Sequence, residues 1–403
     1  MIILRILHTS DWHIGRRLKE HDRSEEFMKF FAWLENIIAA ENIDVLLVSG
    51  DIFDNTTPSI TAQNIYYSFL SRIAKSSCRH TVIISGNHDS PAFLDAPAEL
   101  LKLSRIHVIG QACPNPEDEV ITLRDNSGRP ELIVCAVPYL RDRDVRTITE
   151  DPTDSGQALT AGIRDHCAKV FRHAQKLHEE YQAPVIAMAH MFVKGGRMRP
   201  DEGVRSLYVG TAPETGADIF PDFVIYTALG HLHSPQYVSR ENVRYSGSPI
   251  AMTFGEAEGQ KAVYVLDLEG ENLSIHDIAV PVFQRLERIS GSIEELEADI
   301  KSLGLEHESI WLEVTYTGSE SIGNLQDRLN EAAKPFPALE ILSVYDESKD
   351  NTNTNASSVE GLENIKPLEM LELCFEANNT PEEQRNIFRP MYREILRGLE
   401  IDF

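Results

Sequence analysis

The sequence predicts an α/β protein: mixed sheets stacked as a β-sandwich flanked by helices, then a small α+β domain and a C-terminal helical hairpin. Three observations carry this. Short runs rich in valine and isoleucine recur, each ending in glycine or polar residues, which is the pattern of buried strands. Helix-spaced apolar residues lie between many of these runs, giving strand–helix alternation with chemistry expected at the strand ends. After about residue 280 the pattern changes, and from residue 346 it gives way to a polar stretch.

Taken in order, Ile2–Leu7 reads as a strand and leads into His8-Thr-Ser-Asp-Trp-His13. Phe27, Phe30, Phe31, Leu34, Ile37 and Ile38 keep helix spacing after Ser24. Val45–Val48 leads into Ser49-Gly-Asp51, and Ile65, Phe69 and Ile73 mark a second helix. Val82–Ile84 leads into Ser85-Gly-Asn-His-Asp89. Ile106–Ile109 and Val120–Leu123 read as strands, and Leu132–Val137 runs into Pro138. A long helix is expected over 157–182. Val185–Ala189 ends at His190, Val224–Leu229 at Gly230-His231, and Val263–Leu268 is a further strand. Several strands have no helix between them, so the sheets are expected to be mixed.

Residues 1–280 therefore form the main domain. Arg285–Ser290, Ile310–Tyr316 and Leu339–Tyr345 read as strands of a small domain at 281–345. Its helices are expected from the capping box Ser292-Ile-Glu-Glu295 through Leu303, and over Ile322–Ala333. Residues 346–360 have almost no apolar side chains and read as a linker. Residues 361–403 form the expected helical hairpin, with Thr380, Pro381 and Glu383 opening its second helix.

Composition bounds the function. Apolar residues are 42% and charged residues 25% of 403, so the chain is globular. Lysine plus arginine is 38 against 63 acidic residues, a net charge of −25, which excludes nucleic-acid binding through global charge. Any polyanion must meet a local basic patch, metal ions or a partner. Cys78, Cys113, Cys135, Cys167 and Cys374 are scattered without a CxxC pair, which reads as reduced thiols in a cytoplasmic protein. No run approaches the ~20 apolar residues of a membrane span. The apolar opening meets His8, Asp11 and His13 too soon for a secretory signal.

Five motifs sit where strands end: Asp11-x-His13, Gly50-Asp51-x-x-Asp54, Gly86-Asn87-His88-Asp89, His190 and Gly230-His231-x-His233. Each alone has an ordinary reading as a surface pair, a helix cap, a β-turn or a core histidine. Together, and each after an apolar strand, they supply carboxylate oxygen and imidazole nitrogen. That donor mixture suits Mn²⁺, Fe²⁺ or Zn²⁺ better than Ca²⁺ or a thiolate-bound zinc. Gly50, Gly86 and Gly230 allow close backbone approach there.

This ordered set resembles the calcineurin-like metallophosphoesterase superfamily. The details His8-Thr-Ser-Asp-Trp-His13-Ile-Gly15, Gly50-Asp-Ile-Phe-Asp54, Gly86-Asn-His-Asp-Ser90, Ala228-Leu-Gly-His-Leu-His233 and Arg244-Tyr-Ser-Gly-Ser-Pro249 narrow the resemblance to the SbcD family of nuclease subunits. It is strong from residue 1 to about 255 and compatible in layout beyond.

The resemblance implies two divalent ions, most suitably Mn²⁺. One would be held by Asp11, His13 and His233, the other by Asn87, His190 and His231, with Asp51 bridging them. It implies that His88 faces the scissile phosphate as a general acid or transition-state stabiliser, a task suited to imidazole. Asp54 is the expected carboxylate partner that orients His88, and Asp89 is expected to cap a turn or brace a ligand from behind. Arg16, Arg17, Lys194, Arg197 and Arg199 could meet DNA phosphates, or be ordinary solvated charges; only the resemblance selects DNA. It further implies ATP-dependent 3′ to 5′ double-strand exonuclease and hairpin or single-strand endonuclease activity, serving DNA recombination, repair and replication. The partner would be the SbcC ATPase, two copies of each, docked by the C-terminal hairpin. The chain itself carries no GxxxxGK[ST] motif. The alternatives are a stand-alone enzyme acting on small phosphodiesters and a non-catalytic scaffold.

Overall fold

The computed structural model describes residues 3–145, 155–198, 215–270, 272–319 and 322–348, together with Leu371, Glu372, Phe375, Arg385, Phe388, Arg389 and Tyr392. In chain order the elements are β1 (Leu4–Thr9), α1 (Ser24–Ala40), β2 (Val45–Ser49), α2 (Ile60–Ile73), β3 (His80–Ile84), α3 (Pro91–Asp95), α4 (Ala98–Lys102), β4 (Ile106–Ile109), β5 (Val120–Arg124), β6 (Pro130–Val137), α5 (Asp142–Val145), α6 (Ser155–Tyr181), β7 (Val185–His190), β8 (Val224–Gly230), β9 (Gln236–Val238), β10 (Arg240–Tyr245), β11 (Ala262–Glu269), β12 (Asn272–Ala279), β13 (Arg285–Gly291), α7 (Ile293–Gly304), β14 (Ile310–Tyr316), α8 (Leu325–Ala333) and β15 (Leu339–Asp346).

Two six-stranded sheets stack, in the orders β12-β11-β1-β2-β3-β4 and β5-β6-β7-β8-β10-β9. Both are mixed, as expected: β1 through β4 run parallel while β11 pairs antiparallel with β1, and β6, β7, β8 and β10 run parallel between antiparallel edges. Side-chain alternation sorts each strand between two cores. Val45 and Leu47 face the second sheet, whereas Leu46 and Val48 face α1 and α2. Ile186 and Met188 meet the first sheet, whereas Val185 and Ala187 meet α6. The layers are thus helix, sheet, sheet, helix, and both sheets are covered on their outer faces. Strands buried on both faces must read as continuous apolar runs, and these do.

A third sheet, β13-β14-β15, packs against α7 and α8 around its own apolar cluster of Leu296, Ile300, Leu312, Val314 and Leu329. The sequence reading expects α+β here. The strands are instead all parallel, because each is joined to the next by a helical crossover. The expected capping box is present at Ser292 and Glu295. The helix expected from Ile322 starts at Leu325, because Asn324 adopts a left-handed backbone with φ of 65°.

The expected linker at 346–360 lies outside the described residues from 349 onward. So does most of the hairpin at 361–403. Its described residues are helical, and within them Arg389 pairs with Glu372 while the rings of Phe375 and Phe388 lie tilted, 6.3 Å apart. Cys374 and Arg199 also lie outside. Among the described residues, no helix is long and apolar enough to cross a membrane.

Candidate metal centre

The five motifs converge at the C-terminal ends of β1, β2 and β3 in one sheet and β7 and β8 in the other. The loops after β1 and β2 continue the strand ladder past its end: Asp11 N donates to Gly50 O at 3.0 Å and His13 N to Asp51 O at 2.9 Å. To aim their side chains inward, Asp11, His13 and Asp51 adopt left-handed backbones with φ of 51°, 48° and 50°, and His231 reaches 108°. Each such residue costs on the order of 1–3 kcal/mol and persists only where its surroundings over-determine it. Close packing explains one flanking glycine directly. A Cβ on Gly86 would lie 2.1 Å from Asp51 Oδ1.

Asp11, His13 and His233 bring ligand atoms within 4.8 Å of one another, as do Asp11, Asp51 and His190, and as do His13, Asp51 and His88. Asn87 Oδ1 lies 3.0 Å from His190 Nε2 and 3.0 Å from His231 Nδ1. Asp51 stands between the groups. Its Oδ2 is 3.6 Å from His13 Nε2 and 3.3 Å from His190 Nε2, while Oδ1 accepts the His88 backbone N–H at 2.9 Å. All seven ligands expected from sequence are therefore in one place.

The donor chemistry demands positive charge. His190 Nδ1 donates to the Ser49 carbonyl at 2.9 Å, so its Nε2 presents a lone pair to two acceptors, Asn87 Oδ1 and Asp51 Oδ2. His233 Nδ1 donates to Glu256 Oε1 at 2.8 Å, which leaves its Nε2 lone pair 3.1 Å from His13 Nε2. Acceptors facing acceptors in a buried site repel unless a cation or a proton lies among them. Without a metal, protons respond. Burial pushes His190 down, but Asp51 outweighs it and raises His190 to about 9. Burial likewise pushes Asp51 up, yet His190 holds it well below the usual carboxylate range. Burial lifts Asp11 to about 6 and drives His231 down to about 3. These residues fit divalent ions.

Residues 4–235 match the family model for the calcineurin-like phosphoesterases. The chain belongs to that family. It is a metal-dependent phosphodiester hydrolase with the family's stacked-sheet fold. Residues 282–379 of this phosphoesterase match the Type 5 capsule protein repressor C-terminal domain. The chain is 30% identical over 347 residues to the SbcD subunit of the nuclease SbcCD from Escherichia coli K12, covering 85% of this chain and 84% of that one. It is 36% identical over 276 residues to the protein of that name from Rhodobacter capsulatus, covering 66% and 67%. With the Bacillus subtilis protein of that name it shares 34% over 281 residues, covering 68% and 69%.

One expected contact of the phosphoesterase is corrected. The sequence reading pairs His88 with the Asp54 carboxylate. The ring is held instead by the Asp54 main-chain carbonyl, 2.9 Å from Nδ1. The carboxylate turns the other way, 3.0 Å from Arg16 Nη1 and 3.7 Å from His13 Nδ1. The carbonyl accepts, so Nδ1 carries a proton and Nε2 is left to face the site. Asp89 is buried and braces the loops from behind, accepting from Ile52 N, Phe53 N and Gly86 N at 3.1, 2.9 and 2.8 Å.

Of the basic residues, Arg16 is engaged by Asp54, and exposed Arg17 donates to the Glu20 carbonyl. Lys194 and Arg197 are exposed, and the loop carrying them is anchored by Gln236. The Gln236 amide accepts from Arg197 N and donates to Arg197 O, both at 2.8 Å. Sequence reasoning missed Gln236, and also Glu256, Ser248 and Lys261, which stand behind His233. Ser248 lies inside the quoted Arg244–Pro249 segment. The other three carry no local signal beyond a polar side chain near a ligand strand.

Proposed function

We propose that this phosphoesterase is a DNA nuclease subunit that works with an SbcC ATPase. The observation that carries the reading is the place of Asp51, shared by both ligand groups and one hydrogen bond from His88, in a chain similar to nuclease subunits over most of its length. Asp11, His13 and His233 would hold one ion and Asn87, His190 and His231 the other, with Asp51 shared between the two groups. Mn²⁺ suits the oxygen–nitrogen donor set. Divalent ions bound there would supply Lewis acidity and a more acidic water as nucleophile.

The chain's own residues do the rest. Asp51 would be shared by the two cations, and His88, protonated on both nitrogens, gives its Nε2 proton to the leaving oxygen while its Nδ1–H stays on the Asp54 carbonyl. Lys194, Arg197, Arg199, Arg16 and Arg17 meet the DNA backbone around the centre. Residues 1–280 are the nuclease domain and 281–345 cap it. The segment 346–360 links to 361–403, which docks on SbcC in a cytoplasmic complex with two copies of each protein. The complex digests duplex DNA from 3′ ends and opens hairpins or single strands at the cost of ATP, in recombination, repair and replication.

Purified chain assayed with Mn²⁺ or Mg²⁺ on blunt duplex and hairpin DNA, with and without SbcC and ATP, tests this. The expected result is weak Mn²⁺-dependent cleavage alone and ATP-dependent digestion in the complex. A chain ending at Ser358 should keep the first and lose the second. Turnover of cyclic nucleotides at least as fast as DNA, without a partner, would instead establish a stand-alone phosphodiesterase.

A further inference from the structure

We infer that Glu256 and Lys261 form a positioning pair that sets how tightly the ion at Asp11, His13 and His233 is held. This rests on the ligand assignment above and deepens it. His233 is the ligand best tied from behind. Its ring donates through Nδ1 to Glu256 Oε1 at 2.8 Å. Its carbonyl accepts from Lys261 Nζ at 3.1 Å and from Ser248 N at 3.1 Å. Glu256 Oε2 in turn accepts from Lys261 Nζ at 2.7 Å, Ser248 Oγ at 3.1 Å and Met252 N at 3.0 Å. Ring and backbone of His233 therefore end on the same ion pair. Glu256 is 2% exposed and Lys261 8% exposed, so water does not screen the pair.

The arrangement treats the two ligand groups differently. A carboxylate held against the far side of an imidazole fixes its orientation and raises its donor strength. In the other group, His190 ends on the neutral Ser49 carbonyl, and His231 turns Nδ1 toward Asn87. The influence of Glu256 is confined to one ion. Lys261 balances its charge, so the carboxylate is retained in the dry interior without an unpaired negative charge.

Mn²⁺ titrated into the full-length chain, followed by calorimetry and electron paramagnetic resonance, tests the pair. In Glu256→Gln one ion should bind as in the parent and the other about 10–100-fold more weakly. Substoichiometric samples should then show the six-line spectrum of isolated Mn²⁺ in place of an exchange-coupled pair. Because Glu256→Gln leaves Lys261 buried and unpaired, the double variant Glu256→Gln/Lys261→Met is measured beside it. It should keep the selective loss. Parental affinity for both ions in the double variant, equal weakening of both, or failure of the double variant to fold would overturn the proposal. Fewer than two ions bound by the parent would overturn the two-ion assignment itself, a separate outcome.

Discussion

The ring of His88 is fixed by the backbone of Asp54, with Nδ1 2.9 Å from the carbonyl oxygen, while the Asp54 carboxylate faces Arg16. Removing the carboxylate therefore leaves the His88 ring orientation in place. His88→Gln should lower cleavage by roughly 10²–10⁴ with metal content near normal. Asp54→Ala should lose less. Cleavage rates with metal analysis on both variants decide the matter, and equal losses would give the orienting role back to the carboxylate.

Asp51→Asn should empty both ion positions, because a single oxygen of Asp51 faces both groups. Metal analysis after dialysis should show less than one ion retained per chain. Retention of one tightly held ion would mean that the two groups load independently.

Metal affinity should rise with pH. His190 of the metal-free chain is held up to about 9 by Asp51, so at neutral pH an entering ion displaces its proton. The expected gain is about tenfold per pH unit from 7 toward 9, flattening above. The same shift has a sign for stability. Its folded value lies above the ordinary 6.5, so this contribution to the metal-free chain is full below 6.5 and fades as pH passes 9. Titrating Mn²⁺ in buffers of different ionisation enthalpy should reveal proton release on binding at pH 7.5, from His190 and from His233, which Glu256 holds above the ordinary imidazole value against its burial.

Gln236→Ala should loosen the basic loop without touching a ligand. Its two bonds to the backbone of Arg197 are lost together. Duplex binding by the assembled complex should weaken and its salt dependence flatten, as should follow from neutralising Lys194, Arg197 and Arg199. Hydrolysis of a small chromogenic phosphodiester should stay close to normal. Parallel losses on both substrates would show that the loop shapes the metal centre instead.

Trp12→Ala should cost about 3–5 kcal/mol and unseat two ligands at once. Trp12 is fully buried among Phe30, Phe31 and Phe69, between Asp11 and His13 in the chain. Thermal melting and metal content should fall together. A variant that melts early yet keeps its full metal complement would separate the packing from the centre.

The ligand strands are legible in the sequence because burial on both faces leaves an unbroken apolar run that stops abruptly at the chemistry, as at Val48 before Gly50 and Ala189 before His190. The strand Arg240–Tyr245 gives no such signal, because its outer residues are polar and half exposed. Neither does Asn272–Ala279, an edge strand whose side chains are mostly exposed. At the centre, the side chains of the two ligand groups announce themselves by type and spacing. Those acting through other residues do not. Glu256 and Lys261 come from a turn and the residue just before a strand, far along the chain from Asp11, and only folding sets them behind His233. The Asp54 carbonyl has no sequence signal at all, since every residue has one.

The candidate ligands divide between the two layers of the sandwich: Asp11, His13, Asp51 and Asn87 follow strands of one sheet, while His190 ends a strand of the other and His231 and His233 follow one. Ions held there would be rivets through a seam. Each would add to the apolar packing and the few hydrogen bonds that join the halves, such as His190 to the Ser49 carbonyl, so metal lost to a chelator would be cross-linking lost from the molecule. Chelation should then bring earlier melting, with faster amide hydrogen exchange concentrated at the strand ends beside the seam.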